Sequence, residues 1–344
     1  MGTHPSDNAR HRDAATEDGA LLSVSDLKVS FGSGTALATA VDGVSFDIRA
    51  NETVCIVGES GCGKTVTALS TLGLVPCPPG RIDGGRIVFK GRDLLKMAPT
   101  ALQKIRGNEI AMVFQEPLSS LNPVFTVGDQ IGEAMRTHDR YPQDAIPQAC
   151  IDLLTQVGIP DPVSRLKAFP HQLSGGQRQR VMIAMALSCD PDLMIADEPT
   201  TALDVTVQAR IINLLKDIQT RRRMAIQYIT HDLGVVAAIA ERVYVMYAGI
   251  IVEEGPTGAI FKFSGHPYTR ALLAALPSRN KRGQRLYAIP GSVPNPSNKP
   301  PGCPFHPRCG DAVATCRDSL PEMCDYGNGH KARCPVVFQR EGGV

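Results

Sequence analysis

Residues 173–177 read Leu-Ser-Gly-Gly-Gln, and this stretch narrows the possible folds more than any other part of the chain. A serine followed by two glycines at the start of a predicted helix leaves backbone N–H groups open to an anion. A glycine-rich loop, Gly58–Thr65, lies well upstream, and an apolar run that ends in Asp197-Glu198 follows closely downstream. The stretch therefore predicts a binding site for a negatively charged group at the start of this helix.

The composition limits the class of protein. The chain has 344 residues, of which 43% are apolar, and this is enough for a large core and for more than one domain. Its net charge of +2 does not suggest a nucleic-acid partner, and no apolar run approaches the roughly 20 residues that span a bilayer. Residues 1–20 lack the apolar core of a secretory signal, so we expect a disordered leader and a cytoplasmic protein.

The glycine-rich loop has the residues and the surroundings of a phosphate-binding loop. It lies between a predicted strand, Thr53–Val57, and a predicted helix, Lys64–Leu74. The glycines let backbone N–H groups surround a β-phosphate, Lys64 adds positive charge, and the Thr65 hydroxyl can bind Mg²⁺. Cys62 is interpreted as a small variable residue, and a chance glycine turn is the alternative for the whole loop. The predicted nucleotide-binding residues here are Gly58, Glu59, Ser60, Gly61, Cys62, Gly63, Lys64, Thr65 and Val66.

Two carboxylates follow the apolar strand Leu193–Ala196. Because ligands of parallel sheets bind beyond the carboxyl ends of the strands, we expect Asp197 and Glu198 at such an edge. Asp197 is predicted to organise Mg²⁺, and Glu198 is predicted to polarise the attacking water as a general base. The alternative is that this segment serves only as the N-cap of the next helix.

The pattern along the chain predicts one nucleotide-binding domain with two additions. Helical periodicity, as in Val127–Thr137, predicts a helical subdomain at about residues 126–185, inserted in a domain of residues 21–255. The composition changes near residue 256, and residues 256–344 form a C-terminal extension that contains a cluster of cysteines. No internal repeat is found, so we expect one nucleotide-binding domain per chain.

The Leu-Ser-Gly-Gly-Gln stretch, the phosphate loop and the Asp197-Glu198 segment together resemble the motifs of ATP-binding-cassette (ABC) ATPases. The resemblance implies an α/β fold with a P-loop core, an antiparallel β-subdomain and the inserted helices. It also implies a dimer, because the signature stretch of one subunit would cap the ATP that the other subunit binds. The residues of this stretch in the predicted nucleotide site are Ser174, Gly175, Gly176 and Gln177.

Four further residues receive roles through this resemblance. Gln115 resembles the glutamine that senses Mg²⁺ and the attacking water, and His231 resembles the switch histidine that contacts the γ-phosphate. Asp204 resembles the aspartate that couples the two sites across the dimer. Phe31 is the expected adenine-stacking aromatic, with packing in the core as the alternative. Many cassettes have tyrosine there, but stacking needs only the face of a ring.

Several stretches resemble the oligopeptide and dipeptide importers in particular, and among them the D-type ATPase subunit. They are Gln115–Pro123, Ile195–Gln208, Gly265–Thr269 and Gly302–Cys309. The resemblance implies an ATPase that powers peptide import; nickel or glutathione import, a soluble non-transport ABC ATPase and a non-catalytic subunit are the alternatives. The implied partners are a paralogous F-type ATPase subunit, two membrane permeases and a periplasmic or extracellular peptide-binding protein. The implied location is peripheral, on the cytoplasmic face of the inner membrane.

Cysteines cluster within residues 303–334, which in a reducing compartment favours a metal over disulfides. Four thiolates can hold a [4Fe–4S] cluster or a tetrahedral Zn²⁺, although the CxxC pairs usual in zinc ribbons are missing. The resemblance to peptide importers implies the [4Fe–4S] cluster, and zinc and free thiols are the alternatives. His306 and His330 are expected to be solvated. The predicted ligands are Cys303, Cys309, Cys316 and Cys334, with Cys324 as a weaker alternative.

Overall fold

A computed structural model describes residues 19–34, 37–116, 120–201, 203–276 and 288–340. The predicted leader therefore lies outside the described residues up to residue 18. The described chain forms two β-sheets and a set of helices, and its buried apolar side chains form two core clusters, one on each face of the larger sheet. The predicted α/β fold with a separate antiparallel sheet is confirmed.

Twelve strands are found among the described residues. In chain order they are β1 (Ala20–Phe31), β2 (Ala38–Arg49), β3 (Thr53–Val57), β4 (Gly80–Phe89), β5 (Arg92–Asp93), β6 (Ile110–Val113), β7 (Leu193–Asp197), β8 (Ala225–Thr230), β9 (Arg242–Tyr247), β10 (Ile250–Pro256), β11 (Cys324–Asp325) and β12 (Lys331–Ala332).

The larger sheet is parallel at its centre. Its order is β11-β12-β10-β9-β3-β8-β7-β6, and β9, β3, β8, β7 and β6 all run in the same direction. Strands β3, β7 and β8 are buried along their whole length, as expected for apolar strands of a parallel sheet that is covered on both faces. The carboxyl ends of these strands therefore meet at one edge.

The smaller sheet has the order β2-β1-β4-β5 and is antiparallel throughout. Apolar side chains on one of its faces, such as Leu22 and Ile87, join Ile56 of the larger sheet in a common core cluster. Ala68 of the helix that follows the phosphate loop belongs to the same cluster. The antiparallel sheet thus packs on the face of the parallel sheet that carries this helix.

The α-helices are numbered here in chain order among the described residues. They are α1 (Lys64–Thr71), α2 (Pro99–Gln103), α3 (Val127–Thr137), α4 (Ile146–Gln156), α5 (Pro162–Arg165), α6 (Gly175–Leu187), α7 (Val205–Arg222), α8 (Leu233–Ile239), α9 (Thr257–Lys262), α10 (Pro267–Ala274) and α11 (Pro335–Arg340). None of the helices in these described ranges is long and apolar enough to cross a membrane.

Helices α3, α4 and α6 pack against one another between β6 and β7 in the chain. Their buried side chains, such as Ile131, Leu154 and Ile183, belong to the second core cluster. Helix α3 starts with a capping box, in which the Thr126 hydroxyl accepts from the Asp129 N–H and the Asp129 carboxylate accepts from the Thr126 N–H. These three helices lie between residues 127 and 187, and the helical subdomain of residues 126–185 stays a prediction.

The C-terminal extension adds to the edge of the larger sheet. Strand β12 pairs antiparallel with β10, and β11 pairs with β12. The fully buried carboxyl group of Glu253 in β10 accepts hydrogen bonds from the backbone N–H groups of Gly265 and His266, at 2.7 and 3.0 Å. It also lies 2.7 Å from Nε2 of His330. The prediction that His330 is solvated is wrong, because this ring is buried against Glu253 and 4% exposed.

We predict that Glu253→Gln destabilises the fold by about 2–3 kcal/mol, because one accepting oxygen and its charge are lost while the donors around it stay buried. Urea denaturation followed by circular dichroism measures the change. Glu254→Gln on the same strand is the matched control, since Glu254 is a quarter exposed and lies 4.0 Å from its partner Lys331. Equal unfolding midpoints for the two variants would contradict the prediction.

Candidate nucleotide site

The loop between β3 and α1 has the conformation that its glycines predict. Gly58 and Gly63 have φ angles of 156° and 103°, which L side chains rarely adopt. A Cβ atom at Gly58 would lie 2.1 Å from the carbonyl oxygen of Met246, and one at Gly63 would lie 2.5 Å from that of Ala40. Any side chain at these two positions would displace the backbone around the loop.

Lys64 begins α1 and turns back over the loop. Its Nζ donates to the carbonyl oxygens of Gly58 and Glu59, at 2.8 and 3.1 Å, and its side chain is 5% exposed. The ammonium group lies 3.8 Å from Oε1 of Glu198. A buried positive charge therefore lies between the glycine loop and Glu198, the residue that follows β7.

Asp197 and Thr65 form a pair of oxygen donors at the same edge. The Thr65 hydroxyl donates to Oδ1 of Asp197 at 3.3 Å, and Asp197 is 2% exposed. Burial raises the pKa of the Asp197 carboxyl, and the Thr65 hydrogen bond opposes this shift. A hydroxyl and a buried carboxylate at this distance form a donor set that suits Mg²⁺.

Glu198 is the centre of a group of polar side chains. Its Oε2 accepts from Nε2 of Gln115 at 3.3 Å and from the Thr201 hydroxyl at 3.0 Å, and it lies 3.2 Å from Nδ1 of His231. Gln115, Glu198 and His231 follow β6, β7 and β8 respectively, so the parallel pairing brings them to one edge. The structure thus brings together the three residues predicted to be catalytic.

The backbone at Glu198 lies in the left-handed region, with φ of 45°. Such a conformation is uncommon outside glycine, asparagine and aspartate, and it is typical of functional sites. The N-cap of the next helix, α7, is Asp204, whose Oδ1 accepts from the Val207 N–H at 2.9 Å. The alternative that Asp197 and Glu198 serve as that N-cap is therefore wrong.

The Leu-Ser-Gly-Gly-Gln stretch forms the start of α6. The Ser174 hydroxyl accepts from the Gln177 N–H, and the Gln177 side chain accepts from the Ser174 N–H, which together make a capping box. A Cβ atom at Gly176 would lie 2.9 Å from Cγ1 of Val207, so the stretch packs beside the start of α7. Val207 follows Asp204, and the structure therefore places the signature stretch next to the Asp204 turn.

Phe31 lies at the end of β1. Its ring lies close to Gly80, where an added Cβ atom would be 2.8 Å from Cε1 of the ring. The side chain is partly buried against the core cluster that also holds Ala68 of α1. This placement fits the alternative of core packing, and stacking on adenine stays a prediction.

Four of the five clustered cysteines line one cavity. Cys303, Cys309, Cys316 and Cys334 surround it together with His266, whereas Cys324 lies in β11 and is not among its lining residues. Burial raises the pKa of the Cys334 thiol to about 11, and it also raises the pKa of the Cys303 and Cys309 thiols. Among the described residues, however, no three His, Cys, Asp or Glu side chains are close enough together to hold a metal ion.

An ion pair between the extension and the phosphate loop was not expected from the sequence. Arg308 binds the Glu59 carboxylate through both terminal nitrogens, at 2.7 and 3.0 Å. The hydroxyl of Tyr268 accepts from the Glu59 N–H at 2.8 Å. No sequence pattern predicts a contact between residues 249 positions apart. The position of Arg308 next to Cys309 drew attention to this segment but not to Glu59.

Family models match two parts of the chain. The model of the ABC transporter matches residues 41–201, which contain the phosphate loop, the signature stretch and the carboxylates of β7. The model of the oligopeptide/dipeptide transporter C-terminal region matches residues 252–316. The second match begins in β10 and ends at Cys316, so it covers the first part of the extension.

Known proteins resemble nearly the whole chain. It is 48% identical over 320 residues to the dipeptide transport ATP-binding protein DppD of Bacillus subtilis, covering 93% of this chain and 96% of that protein. It is 49% identical over 323 residues to DppD of Escherichia coli, covering 94% and 98%.

Solved structures share the fold. A dimeric bacterial ABC transporter cassette, MJ0796, matches with a TM-score of 0.62 and 26% identity, over 69% of this chain and 98% of that one. CbiO1 of Clostridium perfringens, part of the transporter complex cbiONQ, matches with a TM-score of 0.61 and 26% identity, over 71% and 91%. The chain therefore belongs to the ATP-binding proteins of the ABC transporter family that carry the oligopeptide/dipeptide transporter C-terminal region.

Proposed function

We propose that this chain hydrolyses ATP to power the import of dipeptides or oligopeptides through a membrane ABC transporter. The observation that carries the proposal is the meeting of Gln115, Glu198 and His231 beside the Lys64 loop. The names of the relatives support the substrate class, since those from B. subtilis and E. coli are dipeptide transport proteins. Nickel or glutathione import is the alternative substrate class, and nothing in the described residues favours it or a soluble non-transport ATPase.

The described contacts support a distinct role for each of these residues within the site. Lys64 lies between the loop carbonyls and Glu198, where it can bind the β and γ oxygens of ATP. Thr65 and Asp197 would hold Mg²⁺, which when bound neutralises charge on the phosphates. Glu198 can accept a proton from water, and Gln115 and His231 hold its carboxylate in place through Oε2.

A dimer would complete the nucleotide site. The signature residues Ser174, Gly175, Gly176 and Gln177 begin α6, where Gly175 and Gly176 lie beside Leu203 and Val207 of the same chain. Such a helix start binds anions, so in a dimer it can cap the γ-phosphate of an ATP held by the partner. The MJ0796 cassette, which shares this fold and is a dimer, supports this arrangement. We propose a paralogous F-type ATPase subunit as the partner, with Asp204 coupling the two sites.

The helical unit would transmit the conformational changes of the ATP hydrolysis cycle to the membrane proteins. Val124 and Phe125 are 72% and 52% exposed just before α3, and an open cavity of about 430 Å³ lies beside Phe125 and Glu133. Exposed apolar side chains of this kind mark a protein interface. We propose that this surface, together with the helices of residues 126–185, contacts the two membrane permeases, to which a peptide-binding protein delivers peptide from outside. The chain would then lie peripherally on the cytoplasmic face of the membrane.

The domain limits follow from the same contacts. We propose an ABC ATPase domain of residues 21–255, because strands β1 to β10 form the antiparallel sheet and all but two strands of the larger sheet within about this range. Residues 256–344 would form the peptide-transporter extension, whose described strands β11 and β12 complete the larger sheet. Since Glu253 of β10 binds three groups of the extension, the two parts share a core rather than a hinge.

We also propose that Cys303, Cys309, Cys316 and Cys334 hold a [4Fe–4S] cluster, with Cys324 as a weaker alternative ligand and zinc or free thiols as alternative states. The lining of one cavity by these four cysteines supports the donor set, but their thiols would have to move closer together to hold a metal, since no three such side chains among the described residues are close enough. Thiolates are the usual ligands of iron–sulfur clusters, and their negative charge would offset the positive charge of the iron ions. The donor set also fits Zn²⁺, so elemental analysis decides between the two.

We predict that Glu198→Gln binds ATP but turns it over at least about 100-fold more slowly, because an amide cannot accept the proton of the attacking water. Steady-state phosphate release and ATP affinity of the purified transporter measure the two effects. Cells that depend on the Glu198→Gln transporter should also fail to take up a labelled dipeptide.

Asp217→Asn is the control for this variant, because Asp217 is an exposed residue of α7 whose ion pair with Arg221 spans 3.9 Å. Its turnover should stay within twofold of that of the parent protein. Wild-type turnover by the Glu198→Gln variant would refute the proposed role of Glu198.

We predict that protein purified without oxygen contains about four iron and four sulfide per chain, and that Cys309→Ser loses most of both. Colorimetric iron and sulfide analysis and mass spectrometry for zinc measure the content. Cys324→Ser should keep its iron, since Cys324 does not line the cavity. Stoichiometric zinc, or neither metal, in the parent protein would exclude the cluster.

A further inference from the structure

We infer that Arg308, a residue of the C-terminal extension, positions the phosphate loop, so that ATP binding depends on the segment between Cys303 and Cys309. The inference rests on the proposed function in that it takes ATP as the ligand of the loop. Arg308 does not touch the reacting groups in the described structure. It acts through Glu59, and it is therefore a positioning residue.

The ion pair itself is well formed, and its arginine is better shielded from water than its glutamate, whose side chain is 29% exposed. The two terminal nitrogens of Arg308 face the two oxygens of Glu59, at 2.7 and 3.0 Å, and the Arg308 side chain is 5% exposed. A paired fork of this kind fixes direction as well as distance, and its charge-assisted bonds are stronger than neutral ones. The hydrogen bond with Glu59 raises the pKa of Arg308, so the guanidinium stays charged.

All the polar groups of Glu59 are engaged, and two of the three bind the extension. Its carboxylate binds Arg308 and its N–H donates to the Tyr268 hydroxyl of α10. Its carbonyl oxygen accepts from Nζ of Lys64 at 3.1 Å. The extension therefore fixes the peptide unit on which the phosphate-binding lysine rests.

Arg308 is itself held from several sides. Its Nε donates to the Pro290 carbonyl at 2.7 Å, and its Nη1 lies 3.3 Å from the Tyr247 hydroxyl. The guanidinium also lies over the Phe305 ring, 5.9 Å from its centre. Phe305 in turn packs against Tyr268, with ring centres 5.4 Å apart. Because the guanidinium is held in place before a ligand arrives, little ordering is needed to hold Glu59.

The kinetic consequence follows from which residues the contact reaches. Loss of the Arg308 pair would loosen Glu59 and, through its carbonyl oxygen, Lys64, the residue proposed to bind the phosphates. It would leave Glu198 with its hydrogen bonds to Gln115 and Thr201. We therefore expect a weaker affinity for ATP and a higher KM, with a smaller change in kcat.

The experiment compares Arg308→Ala and Arg308→Lys in the full chain. We expect Arg308→Ala to raise the Kd of a fluorescent ATP analogue about tenfold, which corresponds to about 1.4 kcal/mol. Arg308→Lys keeps the charge but loses the fork, so its Kd should rise by a smaller factor. Arg340→Ala is the matched control, because Arg340 pairs with Asp311 in the same extension and is 56% exposed there. Its Kd should stay within twofold.

A double-mutant cycle with Glu59→Gln tests whether the effect passes through Glu59. Arg308→Ala should add little in the Glu59→Gln background, since the pair is already broken. Equal effects of Arg308→Ala in both backgrounds, or an unchanged Kd in a folded Arg308→Ala protein, would overturn the inference.

Hydrogen exchange of residues 58–64 without nucleotide supplies a readout that does not depend on ATP. We expect faster exchange there in both Arg308 variants and unchanged exchange in the Arg340→Ala protein. Failure of the parent chain to bind ATP would refute the proposed function, while faster loop exchange would still support the positioning role. Unchanged loop exchange in Arg308→Lys would refute that role even if Arg308→Ala did not fold.

Discussion

The parallel pairing of β6, β7, β8 and β3 is the constraint on which the site depends. Its hydrogen bonds fix the register of Val113 beside Ala196, of Asp197 beside Ile229 and of Val57 beside Thr230. All four strands therefore end at the same edge of the sheet, and the residues that follow them lie close together. The strand pairing brings together a glutamine, two carboxylates, a histidine and the lysine loop. These groups form one polar centre because the backbone hydrogen bonds align the ends of the strands that carry them.

That centre combines buried and exposed groups, since Lys64 and Asp197 are 5% and 2% exposed whereas the His231 side chain is 59% exposed. Lys64 and His231 both lie within 4 Å of Glu198, and the neighbouring Asp197 carries a pKa raised by burial. Pre-arranged groups of this kind need little reorganisation during a reaction. Such pre-arrangement accounts for much of the electrostatic stabilisation of a transition state.

The sequence predicted those parts of the molecule that depend on local rules. The glycines of residues 58–63 directly follow a strand in the sequence, so this local pattern predicts both the loop and the phosphate that it binds. The Glu253 and Arg308 contacts join residues 77 and 249 positions apart, and no local pattern encodes them. His330 was predicted to be solvated for this reason, since a polar ring in a loop-rich stretch gives no sign of a buried carboxyl elsewhere. Spacing likewise could not show that Cys324 lies apart from the cavity.

The attachment of the extension to β10 also sets an order of events during synthesis. The ribosome releases the loop at Glu59 long before Arg308 exists, and β10 long before its neighbour β12. Until then the nascent cassette has an open sheet edge, which is a surface on which chains associate wrongly. A chain cut short before residue 331 keeps that edge, so a nonsense mutation that stops synthesis there should yield aggregating protein rather than a shorter ATPase.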